Sequence, residues 1–373
     1  MTDPVAPPPG VGKVSGVRGG GARARLAPRP SIKDVAQAAR VSVGTVSNVI
    51  NHRDGVSDEL RLRVRAVIDR LGYVPSESGR QLRVGHSRLV ALVVLDASNP
   101  YFAAIGASAE RAFRDAGLGL MICNTAGDIH QEADHLGMLV EQRVRGVLLA
   151  PADPRQQSTE ILRRHKIPFV LVGRTPADGD GCSVSVDDMQ GGVLAVRHLL
   201  VAGHGRIACV MGPAHLTQGQ DRHRGAQAAR REAGVPLDAL HRIDCTSFDI
   251  ESGRDAGARV LALLPRPTAV FCANDLLALG VLQTLWAAGV RVPHDVALVG
   301  YDDIEFAAAA AVPLSSVRQP VSRLGRAAAD LLISETRSGP VGEHRHQRLV
   351  LQPELVVRDS SRISPSLVSP RHR

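Results

Sequence analysis

The chain has 373 residues, of which 44% are hydrophobic and 3% aromatic, and a formal net charge of +8. This length allows a small module and a body of two subdomains, and no apolar run reaches the roughly 18 residues that a membrane span needs. Residues 1–85 hold fourteen Lys and Arg against seven Asp and Glu, a net of +7, so only +1 of the total of +8 is left for the rest. A polyanion is therefore expected to bind at the amino-terminal end rather than on the body.

The two ends of the chain have compositions that favour disorder. Residues 1–30 are rich in Pro, Gly and Arg and lack the apolar core of a secretory signal, so we expect a disordered basic leader. An electrostatic arm that adds non-specific DNA affinity is the alternative. The tail over residues 360–373 contains Pro365 and Pro370 and no heptad pattern, so we expect disorder there and no tetramerisation helix.

Residues 32–51 have the pattern of two short helices joined by a tight turn. Ser31 and Asp34 predict a capping box for the first helix, and Ser42 is placed to cap the second. Apolar positions at three- and four-residue spacing lie on one face, where the helices can meet. These positions are Val35, Ala36, Ala39, Val46, Val49 and Ile50. A third helix, capped by Ser57 and ended by Gly72, completes a three-helix unit that can present its second helix to a DNA major groove. An ordinary helical hairpin is the alternative.

From Leu89 onward, short apolar runs alternate with helical patterns of ten or more residues. The runs lie at residues 89–95, 118–124, 146–150, 168–172, 206–211, 268–273 and 296–300. Because each run is apolar throughout, the alternation predicts βαβ units around parallel sheets that are covered on both faces. Two such series, divided near residues 186–191, predict two doubly wound subdomains. A small polar ligand would bind in the cleft between them, at the carboxyl ends of the strands.

The order of motifs resembles the LacI/GalR family of bacterial transcription regulators. After residues 32–51 the match continues through GYVPSESGRQLRVGHSRLVALVVLDASNPYF, RRHKIPFVLVGR, HLLVAGHGRIACVMGP, FCANDLLALG, VALVGYDDIEF and LSSVRQP, and it covers about residues 31–358. The resemblance implies a small all-α helix-turn-helix headpiece followed by an α/β body of two doubly wound, periplasmic-binding-protein-like subdomains. The implied segments are a headpiece over 31–75, a hinge-helix linker over 76–87 and an effector-binding and dimerisation body over 88–359. LSSVRQP, at residues 314–320, is expected to be a later chain crossing between the subdomains.

The resemblance also implies which residues read DNA. Base-edge contacts fall on Val43, Gly44 and Asn48, and Leu82 matches a hinge-helix leucine that enters the minor groove at the operator centre. Phosphate contacts fall on Ser42, Thr45, Ser47, Asn51 and Tyr73. Asn48 is suited to adenine, in a contact worth about 1–3 kcal/mol. Two residues depart from the family pattern. Arg40 replaces a turn glycine at a cost of about 1 kcal/mol if φ is positive, and Gly79 weakens the hinge helix by about 0.5–1 kcal/mol.

The effector positions implied by the resemblance suit a sugar or a nucleoside-like ring. They are Tyr101, Phe102, Arg222, Phe248, Asn274 and Asp302. The polar members supply donors and acceptors for hydroxyl groups, and Phe248 supplies an apolar face for a ring. Asn274 could instead cap the next helix, and Asp302 could close a turn. Trp286 lies outside these motifs and is expected in the core or at a subunit interface.

The five cysteines include no CxxC pair, and the fourteen histidines include no HExxH and no zinc spacing, so we expect reduced thiols, no metal ligands and no cofactor. The resemblance implies a cytoplasmic, non-enzymatic repressor that binds a pseudo-palindromic operator as a homodimer. Its effector would be a small molecule, a sugar or sugar derivative. The body alone would also suit a periplasmic solute-binding protein, but the headpiece and the lack of a signal argue against this. An enzyme is disfavoured because no Walker loop, GxSxG elbow or zinc signature is present.

Overall fold

The structure is a computed structural model of the full chain. The structure describes residues 30–51, 55–75, 87–153, 155–176, 181–337 and 345–362. The chain divides into two compact units, Met1–Gly79 and Arg80–Arg373. The division falls inside the predicted linker. In the described residues, no helix combines the length and apolar character that crossing a membrane requires.

The described residues of the first unit form three helices. They are α1 Ile32–Ala39, α2 Val43–Ile50 and α3 Asp58–Leu71. The predicted capping box is confirmed, because the Ser31 backbone N–H donates to Asp34 Oδ2 at 2.7 Å and the Asp34 N–H donates to Ser31 Oγ at 3.4 Å. Ser42 and Ser57 cap α2 and α3 as predicted, and Gly72 ends α3 in the left-handed conformation. Local hydrogen bonds therefore set the ends of all three helices.

Buried apolar side chains from all three helices form the headpiece core. They are Val35, Ala36, Ala39, Val46, Val49, Val64 and Val67. The predicted helix contact is confirmed, with Ile50 packed at its edge. Arg40, which joins α1 to α2, has φ 54° and ψ 49°. This left-handed conformation is unfavourable for a residue with a Cβ, so the departure from the family glycine places strain in the turn.

The first subdomain of the body is a six-stranded parallel sheet with the order β11-β5-β4-β3-β1-β2. Its strands are β1 Leu89–Val94, β2 Gly119–Asn124, β3 Gly146–Leu149, β4 Phe169–Val172, β5 Cys182–Val186 and β11 Arg348–Leu351. Its helices are α4 Pro100–Asp115, α5 Ile129–Glu141, α6 Thr159–Arg164 and α12 Val321–Arg337. Apolar clusters on both faces bury β3 and β4 along their whole length and β1 after Leu89, as the uniformly apolar runs predicted.

The second subdomain is a six-stranded sheet with the order β12-β10-β9-β8-β6-β7. Its strands are β6 Ile207–Met211, β7 Leu240–Asp244, β8 Ala269–Cys272, β9 Ala297–Asp302, β10 Ser315–Arg318 and β12 Glu354–Val356. Its helices are α7 Asp188–Val201, α8 Thr217–Glu232, α9 Ile250–Ala262, α10 Asp275–Ala287 and α11 Glu305–Ala309. β12 alone is antiparallel to its neighbour, β10. The two predicted parallel-sheet subdomains are thus confirmed.

Within the described part of the body, the chain crosses between the subdomains three times. The first crossing joins β5 to α7, near the predicted division, and the second lies at Gln319–Pro320, between β10 and α12. The crossing predicted within LSSVRQP is therefore confirmed. The third joins β11 to β12 through Gln352 and Pro353. Of the strands in the described residues, five escaped prediction: β5 alternates Ser with apolar residues, β7 is polar, β10 lies in a segment predicted only as a chain crossing, and β11 and β12 are short edge strands.

The folded body is longer than predicted. Ser360 is buried, donates through Oγ to the Leu298 carbonyl at 2.6 Å and accepts from the Ser315 N–H at 2.8 Å. The prediction of a disordered tail is therefore wrong at its first residues, because the Ser360 hydroxyl pairs with backbone groups beside β9 and β10. Ser87, predicted in the linker, is also buried. Residues 363–373 and 1–29 lie outside the described residues.

Trp286 projects from α10 with 80% of its surface exposed. The predicted core position is therefore wrong, since the neighbouring positions on α10 that face the sheet are apolar and buried. A subunit interface stays a prediction. The five cysteines, all among the described residues, are buried thiols.

The strain at Arg40 can be tested by placing glycine there. Arg40→Gly should raise the free energy of headpiece opening by about 0.5–1 kcal/mol, because glycine adopts this positive φ without the Cβ penalty. Gly72→Ala is the matched reverse change, since Gly72 has φ 62°, and it should lower the same free energy by about 1 kcal/mol. The measurement is hydrogen exchange of the α1 and α2 amides in the full-length chain. Equal protection in Arg40→Gly and the parent chain would contradict the strain.

Candidate effector cleft and DNA-reading face

A cavity of about 370 Å³ lies between the two subdomains of the body. It is lined from the carboxyl ends of the strands, for example by Asp96 after β1, Gly173 after β4 and Asp302 at the end of β9. This is where doubly wound sheets bind ligands. The structure brings all six predicted effector residues to this one cavity: Tyr101, Phe102, Arg222, Phe248, Asn274 and Asp302.

A buried guanidinium lies at the centre of the cleft. Arg222, on α8, donates through Nε to Asp188 Oδ1 at 2.8 Å, and its Nη1 lies 3.8 Å from an Asp302 carboxylate oxygen. The guanidinium carbon lies 3.7 Å from the centroid of the Tyr301 ring, and the Tyr301 hydroxyl donates to Asp188 Oδ1 at 2.9 Å. Two carboxylates and an aromatic face therefore fix the plane of this guanidinium before any ligand binds.

The charges in this cluster depend on one another. Burial by itself disfavours a charged guanidinium, but Asp188, Tyr301 and Asp302 together raise the pKa of Arg222, so it stays a cation. Burial raises the pKa of Asp302 to about 6, against the opposing effects of Arg222 and a hydrogen bond from Gln319. Asp302 is therefore a carboxyl whose protonation changes close to neutral pH.

A chain of hydrogen bonds crosses the cleft. The Tyr101 hydroxyl, on α4 of the first subdomain, donates to Gln319 Oε1 at 3.1 Å. Gln319 Nε2 donates in turn to Asp302 Oδ1 at 2.7 Å, in the second subdomain. Burial raises the pKa of Tyr101, which therefore remains a neutral donor. Because Gln319 lies in the second crossing, the same residues join the two halves of the site and line the ligand cavity.

Asn274 and Asp302 also have the structural roles that the sequence offered as alternatives to ligand contact, a helix cap and a turn. Asn274 Oδ1 accepts from the Leu277 N–H at 2.9 Å and caps α10, while its Nδ2 donates to the Phe248 carbonyl at 3.0 Å. Asp302, the last residue of β9, and Asp303 after it both have positive φ, so the chain turns there. Asn274 thus positions the backbone of the Phe248 segment, whereas Asp302 keeps carboxylate acceptor capacity that faces the cavity.

The cavity combines an apolar wall with an excess of negative charge. The Tyr101 and Phe102 rings meet edge to face with centroids 5.0 Å apart, and Phe248 lies on the wall formed by the second subdomain. Four carboxylates are found among the described lining residues, against the one guanidinium of Arg222: Asp96, Asp188, Asp249 and Asp302. This balance favours a neutral, hydroxyl-rich ring over an anion.

Seven of the nine predicted DNA-reading residues lie on α2 or cap it. They are Ser42, Val43, Gly44, Thr45, Ser47, Asn48 and Asn51. Val43 is 42% exposed, and Gly44 is also exposed, so the amino end of α2 is open to a partner. Asn51 Nδ2 donates to the Ser47 carbonyl at 2.6 Å. Tyr73 packs against the headpiece core, and Leu82 and Gly79 lie outside the described residues.

Sequence reasoning missed Asp188, Tyr301 and Gln319. In the sequence, Asp188 is an ordinary acidic residue in the first turn of a helix. Its contact with Arg222 joins two different helices, so it is not visible in the sequence. Tyr301 and Gln319 lie inside motifs that carried the resemblance, GYDD and LSSVRQP. The family resemblance therefore extended to Tyr301 and Gln319. From GYDD, however, only Asp302 was predicted as an effector residue, and from LSSVRQP only a chain crossing was predicted.

A helix-turn-helix headpiece followed by a two-subdomain body with a ligand cleft defines a DNA-binding regulator with an effector domain. Residues 31–76 match the family model "Bacterial regulatory proteins, lacI family", and residues 196–361 match "Periplasmic binding protein-like domain". The ribose operon repressor of Escherichia coli (strain K12) is 36% identical over 332 residues, which cover 89% of this chain and 99% of the relative. The chain belongs to the LacI family of bacterial transcription regulators.

Solved structures agree with this assignment. A transcriptional regulator CelR–cellobiose complex is 34% identical, with a TM-score of 0.66, and covers 89% of this chain and 100% of that one. The lac repressor dimer bound to operator and the anti-inducer ONPF is 25% identical, with a TM-score of 0.76, over 90% and 99% of the two chains. The predicted family and fold are therefore confirmed.

Asp302 should give the stability of the body a pH dependence. Its pKa is raised from 3.8 to about 6 in the folded chain, so between about pH 4 and pH 6 the folded state holds more protons than the unfolded state. This contribution to the free energy of unfolding is complete below about pH 4 and is lost as pH rises through about 6. Denaturant midpoints across this window should shift less in Asp302→Asn than in the parent chain. The exposed Asp134→Asn is the control, and equal shifts in all three proteins would contradict the assignment.

Proposed function

We propose that this LacI-family regulator is a repressor that binds a pseudo-palindromic operator as a homodimer and responds to a neutral sugar in the cleft. The observation that carries the proposal is the Arg222–Asp302 cluster beside the Phe248 wall, inside a cavity of about 370 Å³. The same chain carries a headpiece whose second helix has an exposed, uncharged amino end. We further propose that the protein acts in the cytoplasm and performs no catalysis.

The ligand class follows from the donor and acceptor groups of the cleft. Sugar hydroxyls both donate and accept, which suits an Asp302 carboxylate beside an Arg222 guanidinium, and a sugar ring presents C–H groups to Phe248. The excess of carboxylates disfavours a phosphorylated or carboxylated ligand. A volume of 370 Å³ is near the lower end for small-molecule sites, which favours a monosaccharide. The similar ribose operon repressor makes a pentose such as ribose the first candidate.

Control of DNA binding would run through the linker at residues 76–87. A sugar that binds one arrangement of the two subdomains better than another shifts their populations, with a coupling of typically 1–3 kcal/mol. That arrangement would decide whether both hinge segments of a dimer meet the operator centre. Asn48 would read an adenine in each half-site, and Leu82 would read the deformability of the central step.

Leu82→Ala tests the minor-groove wedge. We expect operator binding to weaken more than tenfold, because the apolar side chain that would hold the bent duplex is lost, while the affinity for ribose stays the same. The measurement is fluorescence anisotropy titration of operator DNA with the full-length chain. Leu62→Ala, at a leucine that is 68% exposed on α3, is the matched control. Operator affinity in Leu82→Ala equal to that of the control would remove Leu82 from the interface.

Asp302→Asn tests the effector site. We expect calorimetry to show at least a tenfold loss of ribose affinity, because the hydroxyl groups lose a charged acceptor worth about 1.5–3 kcal/mol. Operator binding without sugar should persist, and ribose should no longer change it. Ribose 5-phosphate should bind the parent chain more weakly than ribose does. Unaltered ribose binding in Asp302→Asn, with Asp134→Asn as the control, would exclude Asp302 from ligand contact.

A further inference from the structure

Three side chains with metal-ligating atoms meet in the first subdomain, away from the effector cleft. Cys182 is the first residue of β5, His346 precedes β11, and Glu335 lies in the last turn of α12. One ligand atom from each residue lies within 4.8 Å of the other two, and Cys182 Sγ is 3.8 Å from His346 Nδ1. We propose that these three residues bind a divalent transition-metal ion of the zinc class.

The separation of the Cys182 and His346 ligand atoms suits such an ion after a small contraction. Zinc–sulfur and zinc–nitrogen bonds of about 2.3 and 2.1 Å at a tetrahedral angle place the two ligand atoms about 3.6 Å apart. The observed separation of 3.8 Å between Cys182 and His346 is close to this value. Because His346 is exposed, its side chain can adjust without repacking the core, and an ion can arrive from solvent.

The chemistry of the donor set selects the ion. Thiolate and imidazole ligands suit zinc, cobalt and copper, whereas magnesium and calcium prefer sites made only of oxygen. Three protein ligands leave the fourth tetrahedral position to water. The Gln347 N–H donates to Cys182 Sγ at 3.4 Å, which orients the sulfur. On binding, the Cys182 thiol releases its proton to solvent and forms the metal–sulfur bond.

Simple packing of a buried cysteine is the competing explanation. Cys123, in β2 of the same subdomain, is buried in this ordinary way. In the part of the chain that the structure describes, Cys182, Glu335 and His346 form the one group of His, Cys and acidic residues that meets the ligand-distance criterion. Their ligand atoms come from three different segments that converge on one point, as in a metal site with three protein ligands and one open position.

The location of the site predicts what an ion would do. It would tie the edge strand β11 to β5 and to the end of α12. Thr336, next to Glu335, accepts through its carbonyl from Arg145 Nη2 at 3.1 Å, and the Arg145 N–H donates to the Leu89 carbonyl at 2.7 Å. Leu89 is the first residue of β1. An ion would therefore stiffen the end of the sheet at which β1 begins. In the sequence, residues 76–86 lie just before this strand.

The test is titration of the full-length, chelator-treated protein with Co²⁺, followed by visible and near-ultraviolet absorption. We expect one equivalent to bind, with a sulfur-to-cobalt charge-transfer band that Zn²⁺ abolishes by displacement. His346→Ala and Cys182→Ala should weaken binding at least tenfold and remove the band. The matched controls, His165→Ala at an exposed histidine and Cys123→Ala, should retain it.

Two outcomes would overturn the metal site. One is cobalt binding without a charge-transfer band, and the other is equal binding by His346→Ala and the parent chain. His346 is exposed, so this variant should fold. Equal melting temperatures of the metal-free proteins would show that a loss of binding does not come from unfolding. Operator and sugar binding are not used as readouts, so the result stands apart from the proposed repressor function.

Discussion

The geometry of the effector cleft depends on a buried guanidinium held between two carboxylates. Arg222 loses its water shell, and the charges of Asp188 and Asp302 compensate together with the Tyr301 ring and the Ala273 carbonyl. Removing one partner of such a cluster typically costs about 3–5 kcal/mol, because the remaining charge stays buried. The helices that carry it approach closely: a Cβ at Gly192 on α7 would overlap the backbone carbonyl of Arg222 on α8. The packing of α7 on α8 thus places the ion pair, and the ion pair presents Asp302 to the cavity.

The same cluster offers a physical route from ligand binding to the subdomains. Asp302 accepts from Gln319, which accepts from Tyr101 on the opposite subdomain. A ligand hydroxyl that bonds to Asp302 shares this carboxylate with Gln319. A bound ligand and the contact between the subdomains would therefore use the same acceptor, Asp302. A ligand that shares this acceptor can bind two arrangements of the subdomains with different affinities.

Features set by local chemistry could be predicted from the sequence. The caps at Ser31, Ser42 and Ser57 need only their own helix, and the central strands need only an apolar run. Strands at or near the sheet edges were missed, since β7 and β12 show no such signal. The buried Ser360 was missed because its partners in β9 and β10 are distant in sequence.

The site could be predicted only as far as the family resemblance extended. All six effector positions came from that resemblance, and all six line one cavity. Asp188 was not among those positions, and its role arises from a contact between helices. The group of Cys182, Glu335 and His346 was excluded by spacing rules for the same reason: its members come from β5, α12 and the start of β11, and only the fold brings them together.

The most direct test of sugar-controlled operator binding is selection of random double-stranded DNA by the purified full-length protein, with and without ribose. A LacI-family repressor that reads DNA as proposed should enrich one two-fold symmetric site with an easily kinked centre. Ribose should change that enrichment. Enrichment of a symmetric site that no added sugar alters would contradict sugar control through the cleft. Absence of any symmetric site under both conditions would contradict the proposed dimeric operator recognition.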